Sequence, residues 1–440
     1  MDEFLITGGN TLRGKVDLCG AKNSGFKLII ASLYADQPSK IQNFSKIGDI
    51  YSTAEIIREL GGSVEFGENH SLWVSGSGLL KQEFSQTTGK LSRASTYFIG
   101  PLLYRFGKAI LPVPGGCKIG RRPLDRHIEG IKVLGGEVKE SGSHYEIYGK
   151  LKGGRYRFHK NTHGGTDIMI IAAASAKGKT ILENAALEPE IDDLIAFLNK
   201  MGAKIKRTKN RTIEIEGVSN FVPADHFVMP DRNEAVTFAC CALATKGDVF
   251  IKQANPEMLR AFLKSVKEIG GGYETTNDGI RFFYKGNLKA LNIVTSPYPG
   301  FMSDWMAMWM ILMTQTKGTS IVHETIFENR FAFVSGLQKM GAKIELFNPV
   351  VPNPDEIYNF NLKDDKPGNF HAARVIGPTK LTPITMEITD LRAGASLILA
   401  SLIAGGTSRL TGVEHVDRGY ENLDGRLKTL GADIKRIKNG

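Results

Sequence analysis

The chain has 440 residues, 42% of them apolar and 23% charged, which is an ordinary globular balance with room for two or three cores. Its net charge of +10 admits nucleic acid, a membrane surface or small anions as partners. No basic run and no aromatic-interleaved basic segment is present, so nucleic acid is disfavoured and small anionic ligands are expected. The longest apolar run, Trp305 to Met313, is far below the ~20 residues that span a bilayer, so no membrane segment is expected. Residues 1–10 lack a basic stretch followed by an apolar one, so no signal peptide is expected. Four cysteines, Cys19, Cys117, Cys240 and Cys241, fit neither zinc nor disulfide spacing. They imply reduced thiols and a cytoplasmic location.

Taken in chain order, one pattern recurs six times. An apolar helix comes first, predicted at 28–35, 96–106, 167–176, 235–244, 305–313 and 393–404. A short strand follows, then a loop, then a second helix that ends in Gly-Gly or Gly-Ala. The first glycines of those pairs are Gly61, Gly135, Gly202, Gly270, Gly341 and Gly431. Each fits the left-handed residue beyond a helix end. Alternating strand residues come next, such as Lys204-Ile205 and Asp433-Ile434. The repeat of roughly 70 residues exceeds the 20–50 of most solenoid units. Helices apolar on all sides must be buried, so the strands should lie outside them. The expected fold is α/β (α+β): a two-domain inside-out α/β barrel built from six βαβαββ units, three per domain. The first domain is expected over residues 22–229, and the second over 1–21 plus 230–440, with the N-terminal strand paired into the second. The segment Pro352 to Gly377 reads as a long surface loop.

The apolar helices open with charge at matching places: Lys22 with Asn23, Arg93, Asp167, Arg232, Asp304 and Arg392. Loops before the second helices are similarly loaded, with Asp49, Arg122 and Asp125, Glu188 and Glu190, Glu328 and Arg330, and Asp417 and Arg418. Caps and salt bridges would explain any one of them. Together they suggest a cleft lined by Lys22, Arg93, Arg122, Arg392 and Arg418 that takes a multiply anionic substrate. Helix N-termini would add favourable dipoles there. Asp304 would be an isolated carboxylate in that cationic site, and a candidate base.

One loop has a different chemistry. Pro114 to His127 contains three glycines and places Cys117 among Lys118, Arg121 and Arg122. Nearby cations pull a thiol below its usual value of about 8.5 and favour thiolate. The alternative is a solvated basic loop with an incidental cysteine.

Several motifs resemble the UDP-N-acetylglucosamine 1-carboxyvinyltransferase family. They are Gly20-Ala21-Lys22-Asn23, Pro114-Gly115-Gly116-Cys117-x-Ile119-Gly120-x-Arg122-Pro123 and Asn184-Ala185-Ala186-x-Glu188-Pro189-Glu190. Further along come Phe327-Glu328-Asn329-Arg330-Phe331, Thr389-Asp390-Leu391-Arg392-Ala393 and Asp417-Arg418-Gly419-Tyr420-Glu421. The resemblance implies transfer of an enolpyruvyl group from phosphoenolpyruvate to the 3-hydroxyl of UDP-N-acetylglucosamine, with release of phosphate and no cofactor or metal. It implies Cys117 as proton donor and fosfomycin target, and Lys22, Arg122 and Arg418 as holders of phosphoenolpyruvate. Asp304 would be the base, and Asn23 would hold the intermediate. The nucleotide sugar would lie along Arg93, Arg122, Pro123, Leu124, Asp125, Arg126, Lys160, Asn161, Thr162, His163, Asp304 and Ile326. Glu188, Glu190, Arg330, Asp390 and Arg392 match further residues around the substrates. Met306 and Arg126 depart from the family pattern, which leaves another uridine nucleotide as the alternative acceptor. A catalytically idle homologue is the reading outside enzymology.

Overall fold

The computed structural model describes residues 2–91, 93–112 and 124–438, with side chains at 90, 91, 93 and 392 left aside. These residues form two compact units, one of residues 2–19 with 230–438 and one of residues 20–112 with 124–229. Among the described residues there are six separate sheets, three in each unit.

The third repeat shows the plan. Strand Arg155–Arg157 leads to helix His163–Ala174 and strand Lys179–Glu183; helix Pro189–Lys200 then leads to strands Lys204–Lys209 and Thr212–Glu216. The first two strands pair in parallel, which requires the helical crossover between them. The second pairs antiparallel with the fourth, and the fourth with the third. The same order recurs for Ile293–Val294, Gly318–His323, Ala372–Gly377 and Lys343–Phe347. In the second repeat the sheet has three strands, and the place of the first is reduced to a single bridge from Glu83 to Ile110.

Three sheets are completed by strands distant in sequence. Glu3–Thr7 lies between Thr407–Thr411 and Asp433–Ile437 and is antiparallel to both. Arg13–Asp17 runs parallel to Asp248–Lys252. Asp225–Phe227 runs parallel to Ser39–Gln42.

The helices that open the repeats are the core. Every residue of Arg232–Ala244 is buried, and every residue of Ser303–Met313 except Asp304. Strands such as Lys179–Glu183 turn one face inward and the other out. Within each unit helices therefore lie inside and sheets outside, as expected. The six predicted glycines all have φ between 84° and 99°. A side chain there would be strained, so the repeat is punctuated by backbone geometry.

Two expectations about elements need correction. The third buried helix begins at His163, not Asp167, because Thr162 caps it by accepting a hydrogen bond from the Gly165 amide at 3.2 Å. The expected loop to Gly377 ends earlier, since Ala372–Gly377 is a full sheet strand with Ala372, Ala373 and Val375 buried. The rings of Tyr358, Phe360 and His371 pack against one another at tilted angles within the preceding segment and give it a small core of its own.

Candidate active site

Polar groups reach the surface of the buried helices mainly at their N-terminal ends. In Lys22–Ala31 the partly accessible residues are Lys22, Asn23 and Phe26; in His163–Ala174 they are His163 and Gly164; in Ser303–Met313 only Asp304. Helix N-termini carry unsatisfied amides and the positive end of the macrodipole, so these are places for anions.

Within the unit of residues 20–229, Ala21 is extended and gives helix Lys22–Ala31 no side-chain cap. The Lys22 ammonium lies 2.9 Å from Asp49, which sits in the first turn of helix Gly48–Leu60. Leu124 is buried just before helix Asp125–Val133. The Asp125 carboxylate accepts from the Arg126 amide at 2.9 Å, fixing that turn. The Arg126 guanidinium reaches the Asn161 carbonyl at 3.5 Å, and burial holds it below its usual pKa. The Asn161 amide donates to the Asn184 carbonyl at 3.1 Å. Lys160, Asn161, Thr162 and His163 thus form one ordered segment running into a helix start, with Arg126 beside it.

Below that segment lies a feature that the chain pattern did not reveal. Lys27, fully buried, forms an ion pair with Asp167 at 2.5 Å and contacts His163 Nε2 at 2.8 Å. Asp167 also receives the Tyr97 hydroxyl at 3.5 Å. Burial pushes the Asp167 carboxyl from 3.8 up to about 7; Lys27 pulls it down, while Glu188 and Glu190 add to the rise. Both glutamates are themselves buried, at the start of helix Pro189–Lys200. A buried ammonium must find an anion, and Asp167 supplies it.

Within the unit of residues 2–19 and 230–438, Asp304 is paired with Arg330 at 2.8 Å, so it is not the isolated carboxylate expected. Arg330 is buried and its guanidinium stacks over Phe327 at 5.1 Å, which fixes the direction of the fork. Behind it, Glu324 is fully buried. Desolvation raises its pKa, opposed by Arg330 and by bonds from the Ile326 and Phe327 amides at 2.8 and 3.0 Å. Ile326 is therefore held through its backbone. Asp390 caps helix Leu391–Ile403 by accepting from the Ala393 amide at 3.0 Å. Arg418, partly accessible, ends the short helix Glu414–Asp417, and the next residue, Gly419, packs on Leu391. The Arg418 turn and the Asp390 turn are thus neighbours.

Cys117, Arg121, Arg122 and Pro123 lie outside the described residues. Arg93 opens the 3₁₀ turn Arg93–Phe98, and Arg392 lies in helix Leu391–Ile403. Among the described residues no group of three or more His, Cys, Asp or Glu could hold a metal ion. The other thiols are of a different kind. Burial pushes Cys19, Cys240 and Cys241 well up, so they stay protonated and unreactive. Among the described residues no helix is long and apolar enough to cross a membrane.

The family model of EPSP synthase (3-phosphoshikimate 1-carboxyvinyltransferase) matches residues 6–427. A UDP-N-acetylglucosamine 1-carboxyvinyltransferase of Halothermothrix orenii is 40% identical over 439 residues, covering 100% of both chains. One of Trichlorobacter lovleyi is 41% identical, covering 99% of both. Among solved structures, the enolpyruvyl transferase NikO of Streptomyces tendae shares the fold with a TM-score of 0.86 at 22% identity, covering 100% of this chain and 99% of its own. The EPSP synthase of Acinetobacter baumannii shares it with a TM-score of 0.69 at 18% identity, covering 100% of both. The chain belongs to the EPSP synthase family of enolpyruvyl transferases and, within it, to the UDP-N-acetylglucosamine 1-carboxyvinyltransferases.

Proposed function

We propose that the chain transfers the enolpyruvyl group of phosphoenolpyruvate to the 3-hydroxyl of UDP-N-acetylglucosamine and releases phosphate, as the first committed step of peptidoglycan synthesis in the cytoplasm. The observation that carries this reading is end-to-end similarity, at 40% identity, to a relative of that name. The charged residues gathered at the ends of the buried helices support it.

In this reading the Cys117 thiol gives its proton to C3 of the enol while the sugar oxygen bonds to C2. Asp304 takes the hydroxyl proton, and a tetrahedral phosphoketal results. Loss of a C3 proton then restores the double bond as the bond from C2 to the phosphate oxygen breaks. Lys22, Arg122 and Arg418 hold the phosphate and carboxylate by charge-assisted bonds. Asn23 holds the intermediate, and Asp390 and Arg392 support that site. The Arg330 fork fixes Asp304 as an acceptor at a helix start. The nucleotide sugar takes Arg93, the segment from Arg122 to Arg126, the segment from Lys160 to His163, and Ile326.

The test is phosphate release from phosphoenolpyruvate. It should require UDP-N-acetylglucosamine and be absent with UMP in its place; release with UMP alone would overturn the acceptor. Cys117→Ser should cut turnover sharply at neutral pH, because a hydroxyl is a far poorer acid than a thiol. Unchanged turnover would remove Cys117 from the chemistry.

A further inference from the structure

We propose that Lys27 and Asp167 are positioning residues that hold His163 in one tautomer, as a neutral hydrogen-bond donor for the sugar nucleotide, and that they make its binding pH-dependent. This rests on the function proposed above, since it assigns a task to the segment from Lys160 to His163.

The geometry is specific. The Lys27 ammonium lies 2.5 Å from an Asp167 oxygen and 2.8 Å from His163 Nε2. An ammonium can only donate, so Nε2 accepts, and the ring proton resides on Nδ1. The pair is as buried as any in the chain, with side-chain exposures of 1% and 0%, while His163 keeps 24%. The chain therefore places a full ion pair in its interior behind a histidine that reaches the surface at a helix start. A buried pair is rarely an economical way to stabilise a fold, because desolvation offsets most of its attraction. Its evident product here is a fixed imidazole. Thr162 caps the helix next to it and Asn161 is tied to Asn184, so the whole segment is rigid on the substrate side.

Among the described residues, the groups facing this cluster include Lys27 from helix Lys22–Ala31, Tyr97 from the 3₁₀ turn, Glu188 and Glu190 from helix Pro189–Lys200, and His127 from helix Asp125–Val133, near Gly164. Among them Lys27 brings the positive charge that pulls the Asp167 pKa down. When the carboxyl takes a proton, the ammonium loses its anion. The Lys27 ammonium is then no longer held between Asp167 and His163 Nε2, and the imidazole loses its fixed orientation. Burial sets that change near neutral pH, at about 7.

The test compares the KM for each substrate across pH in the full-length enzyme, for wild type, for Asp167→Asn and for the apolar double replacement Lys27→Met with Asp167→Leu. In wild type the KM for UDP-N-acetylglucosamine should rise about tenfold from pH 8 to pH 6, as expected for loss of one ionised group with a midpoint near 7. In both variants that rise should vanish, while the pH dependence of the KM for phosphoenolpyruvate stays as in wild type. The double variant keeps the test valid if Asp167→Asn alone does not fold, because no buried charge is left unpaired. Variants that retain the wild-type rise, or a wild-type KM that falls on acidification, would overturn the assignment. A wild-type enzyme inactive with UDP-N-acetylglucosamine at every pH would instead refute the function proposed above.

Discussion

Two of the ion pairs at the buried helices differ in depth. Lys27 and Asp167, at 1% and 0% exposure, are sealed within one unit. Asp304 and Arg330, in the other, are at 20% and 4%, so the carboxylate opens to the surface and only the guanidinium is enclosed. The first pair can act only through a neighbour, while the second presents its acid directly. Depth thus separates a group that can act only through its neighbours from one that a ligand can reach.

Removing one partner of the sealed pair should give the largest stability effect. Asp167→Leu strands an ammonium in the interior and should cost about 3–5 kcal/mol, read by denaturant unfolding, while Lys27→Met should cost less because the carboxyl can neutralise itself by taking a proton. Equal losses would mean that the two groups are not coupled as described. The same carboxyl predicts a pH effect. Its folded pKa, about 7, lies above its ordinary 3.8, so its contribution is full below the lower value and is lost as pH rises through the higher. Stability relative to Asp167→Asn should therefore decline between those two pH values; an increase would reverse the sign.

The open pair should behave the other way round. Arg330→Met should cost about 1–3 kcal/mol of stability, the range for leaving a partly buried charged acceptor unmatched, but should lower turnover with the KM for phosphoenolpyruvate little changed. A variant with normal turnover would show that the Arg330 fork does not orient Asp304. The smallest effects belong to the caps. Thr162→Ala and Asp390→Ala should each cost about 1 kcal/mol, and only a loss well above that would point to a task beyond ending a helix.

The fold was legible because its signals are local. Glycine after each second helix and all-round apolarity of each first helix state the repeat without knowledge of any partner. The segment up to Gly377 was misread because its prolines and glycines precede a strand whose small apolar residues, Ala372 and Ala373, give a weak signal. The site residues were nominated by charge at helix starts and by motif resemblance, and their pairing was beyond reach. Lys27 and Asp167 are 140 residues apart, and a lysine near a helix start reads as solvated until the partner is seen. The Arg330 contact to Asp304 was invisible for the same reason, which is why the carboxylate was expected to stand alone.

Residues 3–7 are clasped on both edges by strands made after residue 400. During synthesis this opening segment must wait, unpaired, for nearly the whole chain to leave the ribosome. The unit inserted between residues 19 and 230 has its last strand, Asp225–Phe227, by mid-chain. Order of birth and order of completion are therefore reversed. A change within residues 3–7 or 433–437 disturbs an interior strand or its neighbour.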